Sequence, residues 1–204
     1  WSVTGVQTCA LPIYLSARQF RQPYLARFIA DTLAETGVDP RRLELELTES
    51  LLMEDTEANR SVFSSLAALG VRVAIDDFGT GHSSLSYLKR FAIDTLKIDR
   101  SFVSELPLDA EDCAIATAIV AMAHSLNMKV VAEGVETTEQ ADFLRGLGCN
   151  EIQGYLVSRP LPGPQLQAWL EKRRASDAIA QLEFGAGDSG PMTLMSLDTL
   201  DGRR

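Results

Sequence analysis

Charged and amide side chains stand at or near the ends of five short apolar runs in the sequence. In chain order they are Glu46, the pair Asp76 and Asp77, then Lys97 with Asp99, then Glu133 and Gln153. Brought together, these groups would form an acidic site that contains one lysine. The lysine is the sharpest signal, because it stands between two apolar neighbours and its charge would be costly to bury without a partner.

Each of these positions also has an ordinary structural explanation. A charge after a strand often begins a solvated loop, and the adjacent Asp76 and Asp77 before Phe-Gly could form a strand-end turn. Such explanations serve for one strand at a time. Five polar strand ends in succession favour a common site.

The apolar runs have the length and composition of strands, and helical patterns lie between them. The runs are LELEL at 43–47, VRVAI at 71–75, TLKI at 95–98, KVVA at 129–132 and EIQGYLV at 151–157. The helical patterns cover about 23–36, 55–69, 111–126, 137–147 and 164–172. This alternation predicts an α/β fold with a parallel sheet. In a (β/α)8 barrel the C-terminal strand ends converge on one mouth, where such enzymes place their chemistry.

The composition narrows the range of partners. The chain has 204 residues, a formal net charge of −9 and a pI near 4.7, so it offers no basic surface for DNA or RNA. If the substrate carries phosphate, a cation other than a side chain must help to hold it. The three cysteines are widely spaced and predict neither a disulfide framework nor a zinc site.

The sequence contains no apolar run that could cross a bilayer and no signal peptide pattern. We therefore expect a cytoplasmic location and no membrane contact by this segment. Upstream domains of a parent protein could still anchor it to a membrane.

Five motifs taken together point to a family. They are ELTES at 46–50, AIDDFGTGHSSL at 74–85, LKIDRSFV at 96–103, VAEGVET at 131–137 and IQGYLVSRPL at 152–161. In this order they resemble the EAL domain, and LSARQF at 15–20 resembles the segment that follows a metal-binding Asn in that family. The resemblance implies a TIM-like (β/α)8 barrel that hydrolyses the bacterial second messenger cyclic di-GMP to linear pGpG with two Mg²⁺ or Mn²⁺ ions.

The resemblance also assigns the metal ligands. Glu46 and Asp76 would bind the first ion, and Asp76, Asp77 and Glu133 would surround the second ion and a catalytic water. Hard divalent cations prefer oxygen ligands, so these carboxylates suit the assignment. Lys97 would lie beside the water and orient it or offset negative charge.

Further roles follow from the same resemblance. Asp99 would hold the catalytic lysine in place, and Glu49 would anchor the DDFGTGHSS loop. Glu136 would support the loop on the metal side. Gln153 would touch the nucleotide or a bound water, and Arg159 could touch phosphate.

The two ends of the chain are expected to lie outside the domain. WSVTGVQTCALPI at 1–13 resembles a translated sequencing adaptor, Tyr14 stands where the family has its Asn, and the alternative is a genuine N-terminal arm. We expect a leader over 1–14, a partial EAL domain over 15–172 and a disordered tail over 173–204. A complete barrel needs roughly 250 residues, so the first strand and part of the second are expected to be missing.

The family's namesake Glu lies on that first strand, so we expect the 204-residue chain to be inactive by itself and its parent protein to be a phosphodiesterase. The alternative is a non-catalytic cyclic di-GMP receptor or signalling interaction module. An unrelated barrel hydrolase would have to reproduce all five motifs independently. A homodimer is the habit of the family and is the expected assembly of the intact protein.

Overall fold

A computed structural model describes residues 11–53, 56–81 and 88–172 of the chain. Of the described residues, those from 11 to 160 belong to one compact unit, and those from 161 onward, with a helix over 163–172, belong to a second. The expectations for most of the leader and for the tail over 173–204 lie outside the described residues.

The core of the first unit is a sheet of parallel strands that follow one another in chain order. The strands are β1 (Leu11–Tyr14), β2 (Leu43–Thr48), β3 (Arg72–Phe78), β4 (Thr95–Ile98), β5 (Lys129–Ala132) and β6 (Glu151–Ile152). Each strand pairs with the next, and within the described residues the sheet does not close, so β1 and β6 form its edges. This arrangement confirms the predicted α/β class and an incomplete TIM-like barrel.

Helices connect the strands and begin and end where the local sequence favours it. They are α1 (Ala17–Phe20), α2 (Leu25–Thr36), α3 (Glu57–Leu69), α4 (Ala110–Ser125), α5 (Thr138–Gly146) and, in the second unit, α6 over 163–172. Thr56, Asp109 and Thr137 each accept a backbone hydrogen bond as N-caps, and Gly37 and Gly70 end α2 and α3 in the left-handed conformation. No helix among the described residues is long and apolar enough to cross a membrane.

Strand β2 shows how the sheet separates its two faces. Leu43, Leu45 and Leu47 are buried, while the alternate positions Glu44 and Glu46 are only partly covered. Because side chains alternate along a strand, the leucines share the face opposite the two glutamates. Burying a leucine side chain stabilises the fold by about 1.5–3 kcal/mol, so this alternation fixes which face carries the acidic groups.

The last predicted strand was too long. The run EIQGYLV at 151–157 forms a strand only over Glu151–Ile152. The chain then turns across the loop that follows β5, where the Val135 N–H donates to the Gln153 carbonyl at 3.1 Å and the Leu156 N–H donates to the Val135 carbonyl at 3.0 Å. A side chain at Gly154 would collide with the backbone of Val135, so this close approach requires glycine.

Candidate functional site

The polar strand ends meet because the strands are parallel and in register. Thr48 pairs with Asp76 across β2 and β3, and Lys97 pairs with Val131 across β4 and β5. Glu133 follows the end of β5, where its N–H donates to the Ile98 carbonyl at 3.1 Å. Side chains from four neighbouring strands therefore lie at the same edge of the sheet, as the convergence of C-terminal strand ends requires.

Lys97 occupies the centre of this site. Its Nζ lies 2.6 Å from Glu133 Oε1 and 2.9 Å from Glu46 Oε1. Asp76 Oδ1 lies 3.2 Å from the same nitrogen. The lysine is 5% exposed, so the structure buries this charge and surrounds it with carboxylates.

Three carboxylates form a group that could hold a metal ion. One oxygen from each of Asp76, Asp77 and Glu133 lies within 4.8 Å of the others. Asp76 Oδ1 is buried and makes no hydrogen bond among the described residues, because its approach to Lys97 satisfies the distance of an ion pair but not hydrogen-bond geometry. This buried oxygen therefore keeps its lone pairs available to a cation. An all-carboxylate donor set suits Mg²⁺ or Mn²⁺.

A local irregularity in β3 brings two consecutive aspartates to the site. Side chains alternate along a regular strand, so Asp76 and Asp77 would otherwise point to opposite faces. The pairing of β3 with β4 shifts register between Ile75 and Phe78, and Asp77 has a φ of +54°. A non-glycine residue in this conformation carries strain, and such strain is common at functional sites.

The electrostatics reflect burial and crowding of like charges. Although Asp77 is exposed overall, partial desolvation of its carboxyl raises its pKa, and the charges of Asp76 and Asp99 raise it further. Burial also raises the pKa of Glu133, against the lowering effect of its hydrogen bond with Lys97. Burial alone would lower the pKa of Lys97, but the hydrogen bonds to Glu133 and Glu46 outweigh it and raise the pKa above its usual value. The carboxylates around Lys97 therefore favour its charged form.

Glu49 holds the start of the loop that follows β3. It is 4% exposed, and its Oε2 accepts a hydrogen bond from the Gly79 N–H at 2.9 Å. Its Oε1 approaches Gly81 closely, since a Cβ there would lie 2.6 Å from that oxygen. A cavity of about 300 Å³ next to this carboxylate is lined partly by Phe78, Ile119 and Met122. The rest of the loop, over 82–87, lies outside the described residues.

Asp99 does not contact the lysine that it was expected to hold. Its Oδ1 accepts hydrogen bonds from the N–H of Ser101 at 2.9 Å and from the Ser101 hydroxyl at 2.5 Å. Against the raising effect of burial, the hydrogen bonds from Ser101 and the neighbouring Asp77 carboxyl lower the pKa of Asp99. Among the described residues, the acidic partners of Lys97 are instead Glu46, Asp76 and Glu133. Asp99 thus caps the turn after β4, and it affects the site through the pKa of Asp77.

Glu136 has a partner that the sequence analysis missed. Arg100 Nη2 donates to Glu136 Oε1 at 2.8 Å, and the stem of Arg100 packs over Gly134. A side chain at Gly134 would collide with that stem, and its φ is +68°. The signal that could have revealed Arg100 is the small residue directly after Glu133, which leaves room for a neighbouring side chain.

The two substrate-binding predictions fall on exposed residues further along the chain. The Gln153 backbone binds the loop after β5, and its side chain is exposed. Arg159 lies with its guanidinium 4.3 Å from the centre of the Tyr155 ring. This cation–π contact gives Arg159 a structural partner, and contact with phosphate stays a prediction for both residues.

A family model described as the EAL domain matches residues 2–160. The chain therefore belongs to the EAL domain family. The match starts within the segment that the sequence analysis assigned to a leader, and the boundary at residue 15 stays a prediction.

Two curated proteins of Pseudomonas aeruginosa are similar to the chain. The bifunctional diguanylate cyclase/cyclic di-GMP phosphodiesterase MucR is 47% identical over 168 residues, which are 82% of this chain and 24% of MucR. The cyclic di-GMP phosphodiesterase NbdA is 48% identical over 172 residues, which are 84% of this chain and 22% of NbdA. The chain thus spans about a quarter of the length of these relatives.

Solved structures show the same fold. The PaMucR phosphodiesterase in complex with c-di-GMP has a TM-score of 0.72 and 49% identity, over 76% of this chain and 63% of that one. Klebsiella pneumoniae BlrP1 in a manganese/cy-diGMP complex has a TM-score of 0.69 and 34% identity, over 76% of this chain and 40% of that one. These neighbours contain cyclic di-GMP and, in BlrP1, a divalent cation.

Proposed function

We propose that this chain carries the catalytic face of a phosphodiesterase that hydrolyses cyclic di-GMP to linear pGpG in bacterial signalling. The observation that carries the proposal is the cluster of Asp76, Asp77 and Glu133 around a possible cation, with Lys97 buried beside it. The similar proteins MucR and NbdA are named as cyclic di-GMP phosphodiesterases, and this supports cyclic di-GMP as the substrate. The fold alone would support many other reactions.

The proposed reaction depends on two divalent cations, Mg²⁺ or Mn²⁺. Asp76, Asp77 and Glu133 would hold one of them, and Glu46 would join Asp76 in holding the other. When bound, the cations would acidify a water and offset the charge of the phosphodiester. They would also let a chain with a net charge of −9 bind an anionic substrate.

The chain's own residues position the reacting groups in this proposal. Lys97 offers a fixed positive charge at the site where negative charge develops in the transition state. Glu49 keeps the backbone after Asp77 in place through Gly79. Asp99 would act on the site through its effect on the pKa of Asp77. Gln153 and Arg159, both exposed near the same loop, are the proposed contacts for the nucleotide.

The assembly and location of the intact protein are part of the same proposal. We propose a homodimer in the cytoplasm that binds cyclic di-GMP and neither DNA nor RNA. The acidic composition supports the last of these points, because a chain with a pI near 4.7 has little basic surface to displace counterions from nucleic acid.

The test measures binding and turnover of cyclic di-GMP in the same samples. The 204-residue chain is compared with a version whose first 14 residues are replaced by the corresponding N-terminal part of the MucR EAL domain. Both are assayed with Mn²⁺ or EDTA, with chromatography to detect pGpG and calorimetry to detect binding. We expect Mn²⁺-dependent turnover by the extended version and none by its Glu133→Ala variant. Binding without turnover would favour the non-catalytic receptor. The absence of both binding and turnover would overturn the proposal.

A further inference from the structure

The candidate site contains more negative charge than its one lysine can neutralise, and that lysine hydrogen-bonds two carboxylates and forms an ion pair with a third. An ammonium group has three N–H donors. Three carboxylate oxygens lie within 3.2 Å of Lys97 Nζ, from Glu46, Asp76 and Glu133. The side chain of Lys97 is 6% exposed, so water cannot easily replace these partners. The ammonium is thus the internal counter-ion of the site.

The partners of the lysine overlap with the group that could hold a metal ion. Asp76 and Glu133 belong to both sets, whereas Glu46 contacts the lysine and Asp77 belongs to the metal group. A divalent cation held by this group must share two carboxylates with an ammonium a few ångströms away. Two cations at such a distance repel each other strongly, because a buried site screens charge poorly.

We propose that Lys97 competes with the divalent cation for Asp76 and Glu133, holding these carboxylates together without metal and weakening the binding of the metal. Asp77 lies outside the lysine's contacts and is exposed, so it is the first ligand that an incoming ion meets. The site then fills only when the free metal concentration overcomes the competition. This inference rests on the metal site of the proposed function and adds a determinant of its affinity.

If Lys97 had only a structural role, removal of its charge would change the affinity for metal in the opposite direction. If Lys97 only kept the carboxylates in place, removing its charge would loosen the ligands and weaken metal binding. If it competes, removing the charge tightens metal binding and destabilises the chain only when metal is absent. Like charges left facing one another without a counter-ion raise the free energy of the folded state.

The test is a Mn²⁺ titration of the 204-residue chain, with free Mn²⁺ read by electron paramagnetic resonance. We expect Lys97→Met and Lys97→Gln to lower the Kd at least about tenfold, and Lys97→Arg, which keeps the charge, to restore the wild-type value. Lys129→Met is the matched control, because Lys129 is another lysine of the same sheet, paired with Glu151 at 3.8 Å and absent from the metal group. It should leave the Kd unchanged.

Thermal unfolding of the same variants gives a second readout. In EDTA, Lys97→Met and Lys97→Gln should melt below the wild type, and saturating Mn²⁺ should remove or reverse the difference. The glutamine variant keeps hydrogen-bond donors for the carboxylates and serves if the methionine variant does not fold. Equal or weaker Mn²⁺ binding by both neutral variants would overturn this inference alone. No Mn²⁺ binding by the wild type would overturn the proposed metal site and this inference with it.

Discussion

Replacing Gly134 by alanine tests how the loop beside Glu133 is held. Gly134 has a φ of +68°, and a Cβ there would lie 2.8 Å from both Cβ and Cδ of Arg100 and still closer to its Cγ. The left-handed conformation costs a non-glycine residue about 1–2 kcal/mol, and overpacking of the stem adds about 1–3 kcal/mol. We therefore expect urea denaturation to show a free energy of unfolding lower by about 2–5 kcal/mol.

A double-mutant cycle with Arg100→Ala separates the two contributions. The ion pair of Arg100 with Glu136 is largely exposed, at 61% and 40% of the two side chains, so Arg100→Ala alone should cost less than about 1 kcal/mol. In the double variant the clash with Cγ and Cδ of Arg100 disappears, while the contact with Cβ at 2.8 Å and the backbone strain remain. The coupling energy should be about 1–3 kcal/mol. A stability of Gly134→Ala within about 0.5 kcal/mol of the wild type, or no rescue by Arg100→Ala, would refute the described packing.

Two further predictions concern the buried side chains of Cys149 and Glu49. Burial raises the pKa of Cys149 to about 11 from an unperturbed 9.0. The unfolded thiol thus ionises first as the pH rises, and wild type should lose about 2 kcal/mol of unfolding free energy relative to Cys149→Val between pH 8 and 11. The prediction is wrong if urea denaturation shows the same difference in unfolding free energy between wild type and Cys149→Val across that pH range. For Glu49, alanine leaves the Gly79 N–H without its acceptor, whereas glutamine keeps one. Glu49→Ala should therefore be less stable than Glu49→Gln by about 1–3 kcal/mol, and equal melting of the two would argue against the hydrogen bond.

Much of the fold could be predicted because its signals are local. The strands TLKI at 95–98 and KVVA at 129–132 have the bounds that their apolar runs predicted. Helix α3 ends at Gly70 as its sequence indicates. The burial of Lys97 among carboxylates also follows from its position between apolar neighbours, since a buried charge needs partners.

The features that could not be predicted depend on contacts between distant segments. The short β6 results from the approach of Gly154 to Val135, a residue of another loop. The register shift in β3 that turns Asp76 and Asp77 toward one site has no sequence signal of its own. The partner of Asp99 was misassigned because Ser101, two residues further on, competes for its carboxylate through a local turn.

We propose that Glu133 and its neighbours take part in the hydrolysis of a cyclic dinucleotide. The most direct measurement is the rate of pGpG formation from cyclic di-GMP with Mn²⁺ by the extended domain. The rate is compared between the wild type, Glu133→Gln and the control Glu139→Gln, which changes an exposed carboxylate on α5. We expect wild-type turnover in the control and a loss of at least about a hundredfold in Glu133→Gln. Equal turnover by the two variants, or no pGpG from any of the three, would contradict it.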